Sequence, residues 1–155
     1  SYVAASAALA EGRAFAGHYG GKLVCADLVE SKLAWEYKSD EEGTAFFSSP
    51  AVGEDRIVIG ARDSRGHAVA RADGKRLWTF PTRGDVDSSP VICGDKVVIG
   101  SRDGRLYVLR LSDGTEVWSR DLGAEISGAP AVAHGMIVVG TEDGRVHAFG
   151  EAGKP

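Results

Sequence analysis

The sequence predicts an all-β protein, a β-propeller of four-stranded antiparallel blades with nearly four blades in the chain. Three observations carry that expectation. Ser48-Ser49-Pro50, Ser88-Ser89-Pro90 and Gly128-Ala129-Pro130 set their prolines 40 residues apart, and ten residues past each proline a glycine closes an apolar run, at Gly60, Gly100 and Gly140. Glycine supplies 21 of 155 residues, roughly twice ordinary usage, and is spread along the chain, which marks frequent tight turns and argues against a helical bundle. Between the turns, apolar residues alternate or run in fours and fives, as short antiparallel strands do.

The elements are most legible in the third copy. Its first strand is expected at 89–92, followed by a turn at Gly94-Asp95 and a second strand at 96–101. Asp103-Gly104 makes a hairpin turn of the favoured kind, the third strand covers 105–110, and Asp113-Gly114 leads to a fourth at 115–119 that carries Trp118. Asp121-Leu122-Gly123 then begins the passage to the next copy. Four strands per repeat make one blade. Trp78 and Trp118 stand 18 residues after Gly60 and Gly100, and Trp35 stands 18 after Gly17, which exposes a further copy at the N-terminal end. There Ala5-Ser6-Ala7 replaces Ser-Ser-Pro, and the step to the next copy is 43 because the loop 38–46 carries three extra residues. The repeats are thus about 1–43, 44–83, 84–123 and 124–155, one partial propeller domain whose last blade lacks its outer strand. The stretch 22–42, free of Gly and Pro, could be helical by itself, but its alignment with 66–85 makes it strands.

The succession of Ser-Ser-Pro, an apolar strand ending in Gly, Asp-Gly, and Gly-Lys-x-x-Trp resembles the repeats of the pyrroloquinoline-quinone (PQQ) type, or quinoprotein-like, β-propellers over essentially the whole chain. That superfamily holds quinone-dependent alcohol dehydrogenases and non-enzymatic members such as the lipoprotein subunit of the outer-membrane β-barrel assembly machinery. Its docking motif, Asp-x-x-Thr-Gly-Lys-x-x-Trp, is matched in part: Asp27, Lys32 and Trp35 in the first copy, Gly74, Lys75 and Trp78 in the second, Gly114 and Trp118 in the third, while its other polar positions drift to Glu30 and Ser31, Ala70 and Asp73, and Arg110, Asp113 and Thr115. The resemblance implies that Trp35, Trp78 and Trp118 are structural residues packed between blades. It also implies a ring of about eight blades, of which this chain is expected to be half, the C-terminal half of a longer propeller. A protein partner or a second copy would complete it, since an open arc leaves apolar blade faces in water.

Charge and composition narrow the function classes. Eighteen Lys and Arg against 22 Asp and Glu give a net charge of −4, without the basic face that a nucleic-acid partner calls for. No apolar run approaches the roughly 20 residues of a membrane span, so no membrane insertion is expected. Ser1-Tyr2-Val3 lacks the basic and apolar regions of a signal peptide, and only the family resemblance bears on compartment, favouring a periplasmic or other extracytoplasmic one. Enzymes of the resembling family use PQQ, a calcium held by carboxylates and amides, a catalytic aspartate and often adjacent cysteines. This chain has no Asn, no Gln and no adjacent Cys pair, so no catalytic, cofactor-binding or metal-ligating residue is assigned. Cys25 falls at a small apolar site on a third strand and Cys93 in a turn two blades away, so both are expected as free thiols. His67 and His147 occupy one repeat position, suited to packing, while His18 and His134 lie near turns.

The connections between blades are more informative. The segments 38–43, 82–87 and 121–125 fall at one end of the blades, and binding sites commonly form where loops gather on a rigid scaffold. Asp40, Glu41, Glu42, Arg83, Asp85, Asp87 and Glu125 are therefore the candidate partner-binding residues. The expected function is a non-catalytic scaffold for protein–protein interaction, without cofactor. The alternatives are a fragment of a PQQ-dependent dehydrogenase whose quinone and calcium site lies outside this chain, and a sensor domain of a signalling protein.

Overall fold

The computed structural model describes residues 2–150 and contains, among them, only strands, turns and loops. The strands are β1 (Ala8–Ala10), β2 (Arg13–His18), β3 (Lys22–Asp27), β4 (Lys32–Lys38), β5 (Ala51–Val52), β6 (Arg56–Ala61), β7 (Arg65–Ala70), β8 (Arg76–Pro81), β9 (Val91–Cys93), β10 (Lys96–Gly100), β11 (Arg105–Arg110), β12 (Glu116–Asp121), β13 (Ala131–Ala133), β14 (Met136–Gly140) and β15 (Val146–Gly150). They form four antiparallel sheets in chain order, β1–β4, β5–β8, β9–β12 and the three-stranded β13–β15. Residues 1 and 151–155 lie outside the described residues, and so does the expected lack of an outer strand at the end of the last blade. The first strands of successive sheets lie near one another, which puts them on the inside of the arc.

Strand limits in the third copy differ from the sequence expectation by one or two residues. The first strand of the third copy begins at Val91, not at 89, because Pro90 has no N–H and the Ser88 and Ser89 hydroxyls are turned to other work: they accept from the amides of Gly100 (3.3 Å) and Ser49 (2.9 Å). The fourth strand begins at Glu116, since the Thr115 amide is held by the Asp113 carboxylate at 2.9 Å in a turn. It runs on to Asp121, which pairs with Arg105. Cys93 closes β9 instead of lying in the turn. A bulge interrupts the pairing of third and fourth strands at one repeat position, after Cys25, Ala68 and Val108, next to the partner tryptophan each time.

The core lies between sheets. Strand alternation sends residues of one sheet alternately to the blade before and the blade after. Phe15 and Cys25 pack with Ile57, Ile59 and Val69; Val58, Ala68 and Trp78 with Val97, Ile99 and Leu109; Val98 and Val108 with Val139, Ile137 and Phe149. Three side chains from the connecting segments, Phe46, Val86 and Ile126, are fully buried in these seams.

Candidate protein-interaction face

In an antiparallel blade the second-to-third turn and the connection to the next blade share one end. Backbone bonds tie them together: the amides of Arg62, Arg102 and Glu142 donate to the carbonyls of Ala45 (3.0 Å), Asp85 (2.9 Å) and Glu125 (2.9 Å). The candidate loop residues thereby stand beside the ends of β6, β10 and β14.

An ion-pair ladder crosses this face. The Asp87 carboxylate, mostly withdrawn from solvent, takes a bidentate pair from Arg62, Nε to Oδ1 and Nη2 to Oδ2, both at 2.9 Å. Arg102 reaches the same carboxylate at 3.5 Å and donates through Nε to Glu125 at 2.8 Å, while Asp85 stands 4.0 Å from Arg62. The hydrogen bond from Asp87 raises the pKa of Arg62, and that from Glu125 raises the pKa of Arg102. At the blade-one end the ladder turns aromatic. The Arg62 guanidinium sits 3.7 Å from the centre of the Phe47 ring, Phe47 meets Tyr19 edge-on at 5.5 Å, and Tyr19 stacks on Tyr2 at 5.2 Å. A shallow hollow of 260 Å³ there is lined by Tyr19, Glu41, Glu42, Thr44, Ala45 and Arg62.

The structure thus brings Asp85, Asp87 and Glu125 into one array, with Glu41 and Glu42 at its margin. Asp40 and Arg83 stand apart. Asp40 pairs with Arg76 across the blade, and the Arg83 amide donates to Asp103 at 2.9 Å while its side chain borders a separate hollow with Phe80 and Tyr107. The residues missed from sequence are the cations and rings, Arg62, Arg102, Tyr19 and Phe47. A signal was available: Tyr19, Arg62, Arg102 and Glu142 each stand two residues after the repeat glycine.

The tryptophans divide. Trp78, 7% exposed, donates its indole N–H to the Leu111 carbonyl at 2.9 Å and lies flat against Gly114, where an added Cβ would be 2.7 Å from the ring. Trp35 does the same one seam earlier, with the Arg71 carbonyl at 3.2 Å and Gly74. Trp118, expected between blades, is instead 38% exposed; it meets Phe149 edge-on at 5.3 Å. The turn that shelters the other two indoles comes from the third and fourth strands of the following blade, and the described part of the last blade has no fourth strand.

His67 has a larger part than packing. It is buried, with Nδ1 at 2.9 Å from the Tyr37 hydroxyl and Nε2 at 3.1 Å from Asp63, whose other oxygen accepts from Ser39. Burial works against the Asp63 charge, but the hydrogen bonds from His67 and Ser39 outweigh it and hold the carboxyl below the usual range. The pairing recurs: Tyr107 donates to Asp103 at 2.7 Å, and Thr141 links Asp143 (2.6 Å) to His147 (3.4 Å). Each such pair latches a hairpin turn to its third strand, closed to solvent in the second blade. Among the described residues no three His, Cys, Asp or Glu side chains gather closely enough to hold a metal ion.

Comparison with known proteins places the chain. The family model described as outer membrane protein assembly factor BamB, of the PQQ-repeat type, matches residues 2–91 and 67–154. This chain belongs to that family. The curated BamB of Xanthomonas campestris pv. campestris is 30% identical over 86 residues, a match covering 51% of this chain and 21% of the relative, so the chain spans about a fifth of that protein. Among solved structures, BamB from Moraxella catarrhalis superposes with a TM-score of 0.82 at 18% identity over 96% of this chain and 50% of its own. The computationally designed Ika4 protein gives 0.84 at 18% identity, over 97% of this chain and 91% of its own. A quinohemoprotein alcohol dehydrogenase from Pseudomonas putida HK5 gives 0.75 at 17% identity, over 90% and 28%. At such identities the three structures share the fold: the chain is a β-propeller of PQQ-like repeats.

Proposed function

We propose that this chain is a non-catalytic propeller scaffold that works in the periplasm or another extracytoplasmic compartment and binds a protein of the outer-membrane assembly machinery. The observation that carries the reading is the BamB family match, whose two segments together run from residue 2 to 154. The docking face is the one built on Asp85, Asp87 and Glu125. It is preorganised, because the paired arginines need little ordering to meet a partner, and it combines arginine with exposed tyrosine, the residue types that anchor protein interfaces.

The test is calorimetric titration of the chain with purified soluble domains of an outer-membrane assembly machinery. The expected result is binding that is lost on Asp85→Lys with Asp87→Lys and kept on Glu54→Lys, at the opposite end of the blades. No binding, or loss only on Glu54→Lys, refutes the reading. The fold likeness to the quinohemoprotein enzyme favours a second reading, a dehydrogenase fragment. Calcium-dependent dye reduction on addition of PQQ would put that reading in place of the first.

A further inference from the structure

Every seam inside the arc is closed by one device. The segment entering a blade lays a side chain on the glycine that ends the preceding blade's second-strand run: Phe46 on Gly17, Val86 on Gly60, Ile126 on Gly100. The fit leaves no room. A Cβ on Gly17 would stand 2.7 Å from the Phe46 Cβ, and one on Gly60 or Gly100 would fall inside the side chain of Val86 or Ile126. The fourth glycine of the series, Gly140, is uncovered by the described residues: among them a Cβ there would meet only the Arg145 carbonyl, at 3.8 Å. The residue at the covering position before Phe46 is Val3, at the other end of the arc, and it is 51% exposed. One end is an empty socket and the other a free knob.

The knob is already held in seam geometry. In each internal seam the residue before the knob accepts a bond from the following blade, and the Tyr2 carbonyl does the same, taking the Tyr19 amide at 3.1 Å. The knob's own amide donates backward, from Phe46 to His18, Val86 to Ala61 and Ile126 to Ser101, so the Val3 amide is matched to a Thr141 carbonyl. A serine ladder runs the opposite way, each amide donating forward: the Ser6 amide donates to Ser49 Oγ at 3.0 Å and the Ser49 amide to Ser89 Oγ at 2.9 Å, which leaves the Ser6 hydroxyl placed for the amide of an Ala129. Val138, 36% exposed, holds the repeat position at which Phe15, Val58 and Val98 are buried, and Ala14, Ala16 and Ala26 hold the facing one. Both surfaces are apolar.

The two ends fit each other across a gap of about half a ring. The arc covers half of the Moraxella BamB and 46% of the designed Ika8 protein, in keeping with half of the eight-bladed ring that the family resemblance implies. A second copy turned by half a revolution presents a socket to each knob, which closes the ring with two identical head-to-tail seams and no open end. We propose that two copies of this 155-residue chain associate into one eight-bladed ring, with Val3 of each seated on Gly140 of the other. The proposal rests on the propeller fold and not on the docking face, so the substitutions at Asp85 and Asp87 leave it untouched.

Light scattering behind a sizing column, over a range of concentrations, tests it. The expected species has twice the chain's 16.3 kDa. Gly140→Val fills the socket, and Val3→Asp charges the knob. Each is expected to raise the dimer dissociation constant by about 30-fold or more, the scale of a central anchor lost from an interface, with an unchanged far-ultraviolet circular dichroism spectrum. Gly140 has space for the side chain in the isolated arc, so the monomeric variant keeps its fold. A monomer at every concentration, a dimer indifferent to both substitutions, or an open series of higher oligomers overturns the proposal.

Discussion

Trp78→Ala measures the seam between the second and third blades. Only 7% of Trp78 is exposed. Truncation therefore forfeits on the order of 150 Å² of buried apolar surface, about 4 kcal/mol at ~25 cal/mol per Å². The lost hydrogen bond adds little, under about 1 kcal/mol. Its acceptor, the Leu111 carbonyl, keeps a second donor, Arg56 Nη1 at 2.9 Å, and is not orphaned. The expected cost is thus about 3–5 kcal/mol, a large part of the 5–15 kcal/mol that holds an ordinary domain folded. Urea unfolding followed by far-ultraviolet circular dichroism, which does not depend on the removed indole, reads it. With a slope of about 2 kcal/mol per molar urea the midpoint falls by about 2 M. Trp118→Ala is the internal control: with 38% of its surface exposed and no carbonyl partner among the described residues, it costs about 2–2.5 kcal/mol. A loss below about 1 kcal/mol at Trp78, or equal losses at the two positions, would refute the seam argument.

Two further outcomes follow from the described chemistry. The folded-state pKa of Asp63 is depressed, so its contribution to stability is complete above the unfolded value of about 4 and fades as pH falls through the lower folded value; Asp63→Asn should flatten the acid limb of the thermal midpoint below about pH 4, and parallel limbs would contradict the latch. Cys93 is exposed and Cys25 buried, its thiol pKa pushed up by that burial. A disulfide reagent should therefore titrate one thiol at once and the second only on unfolding; two prompt equivalents would mean that the first seam opens.

What could be read in the sequence follows from how far apart the interacting residues lie. The 40-residue step, the closing glycines and the tryptophans are local or periodic, and they foretold four sheets of successive antiparallel strands. The same register overruled the helical appearance of 22–42, which is β3 and β4. Strand limits shifted by one or two residues because the seam serines and Asp113 bind backbone amides that a pattern counts as strand. The proposed docking face was legible only on its acidic side. Its cations sit at the ends of second strands, and the pairing of Arg62 with Asp87 joins residues 25 apart across a seam, which no periodicity within one copy displays. Of the Asp63–His67 latch the sequence displayed only the histidine, as a packing residue. The spacing of four recurs at Asp103–Tyr107 and Asp143–His147, and only the hairpin turn brings each pair together.

Each blade touches the blade before and the blade after it through the same knob and glycine positions each time, and the first two seams repeat the same indole-to-carbonyl bond. Such a molecule is a one-dimensional array whose cohesion is a sum over nearest neighbours. A substitution in one seam weakens that joint and leaves the others intact, so individual blades are free to diverge in sequence, as the first has with its longer loop and its alanines in place of Ser-Pro. Copy number becomes a heritable variable of its own: duplicating or losing a whole blade changes the arc's length without asking any joint for new chemistry.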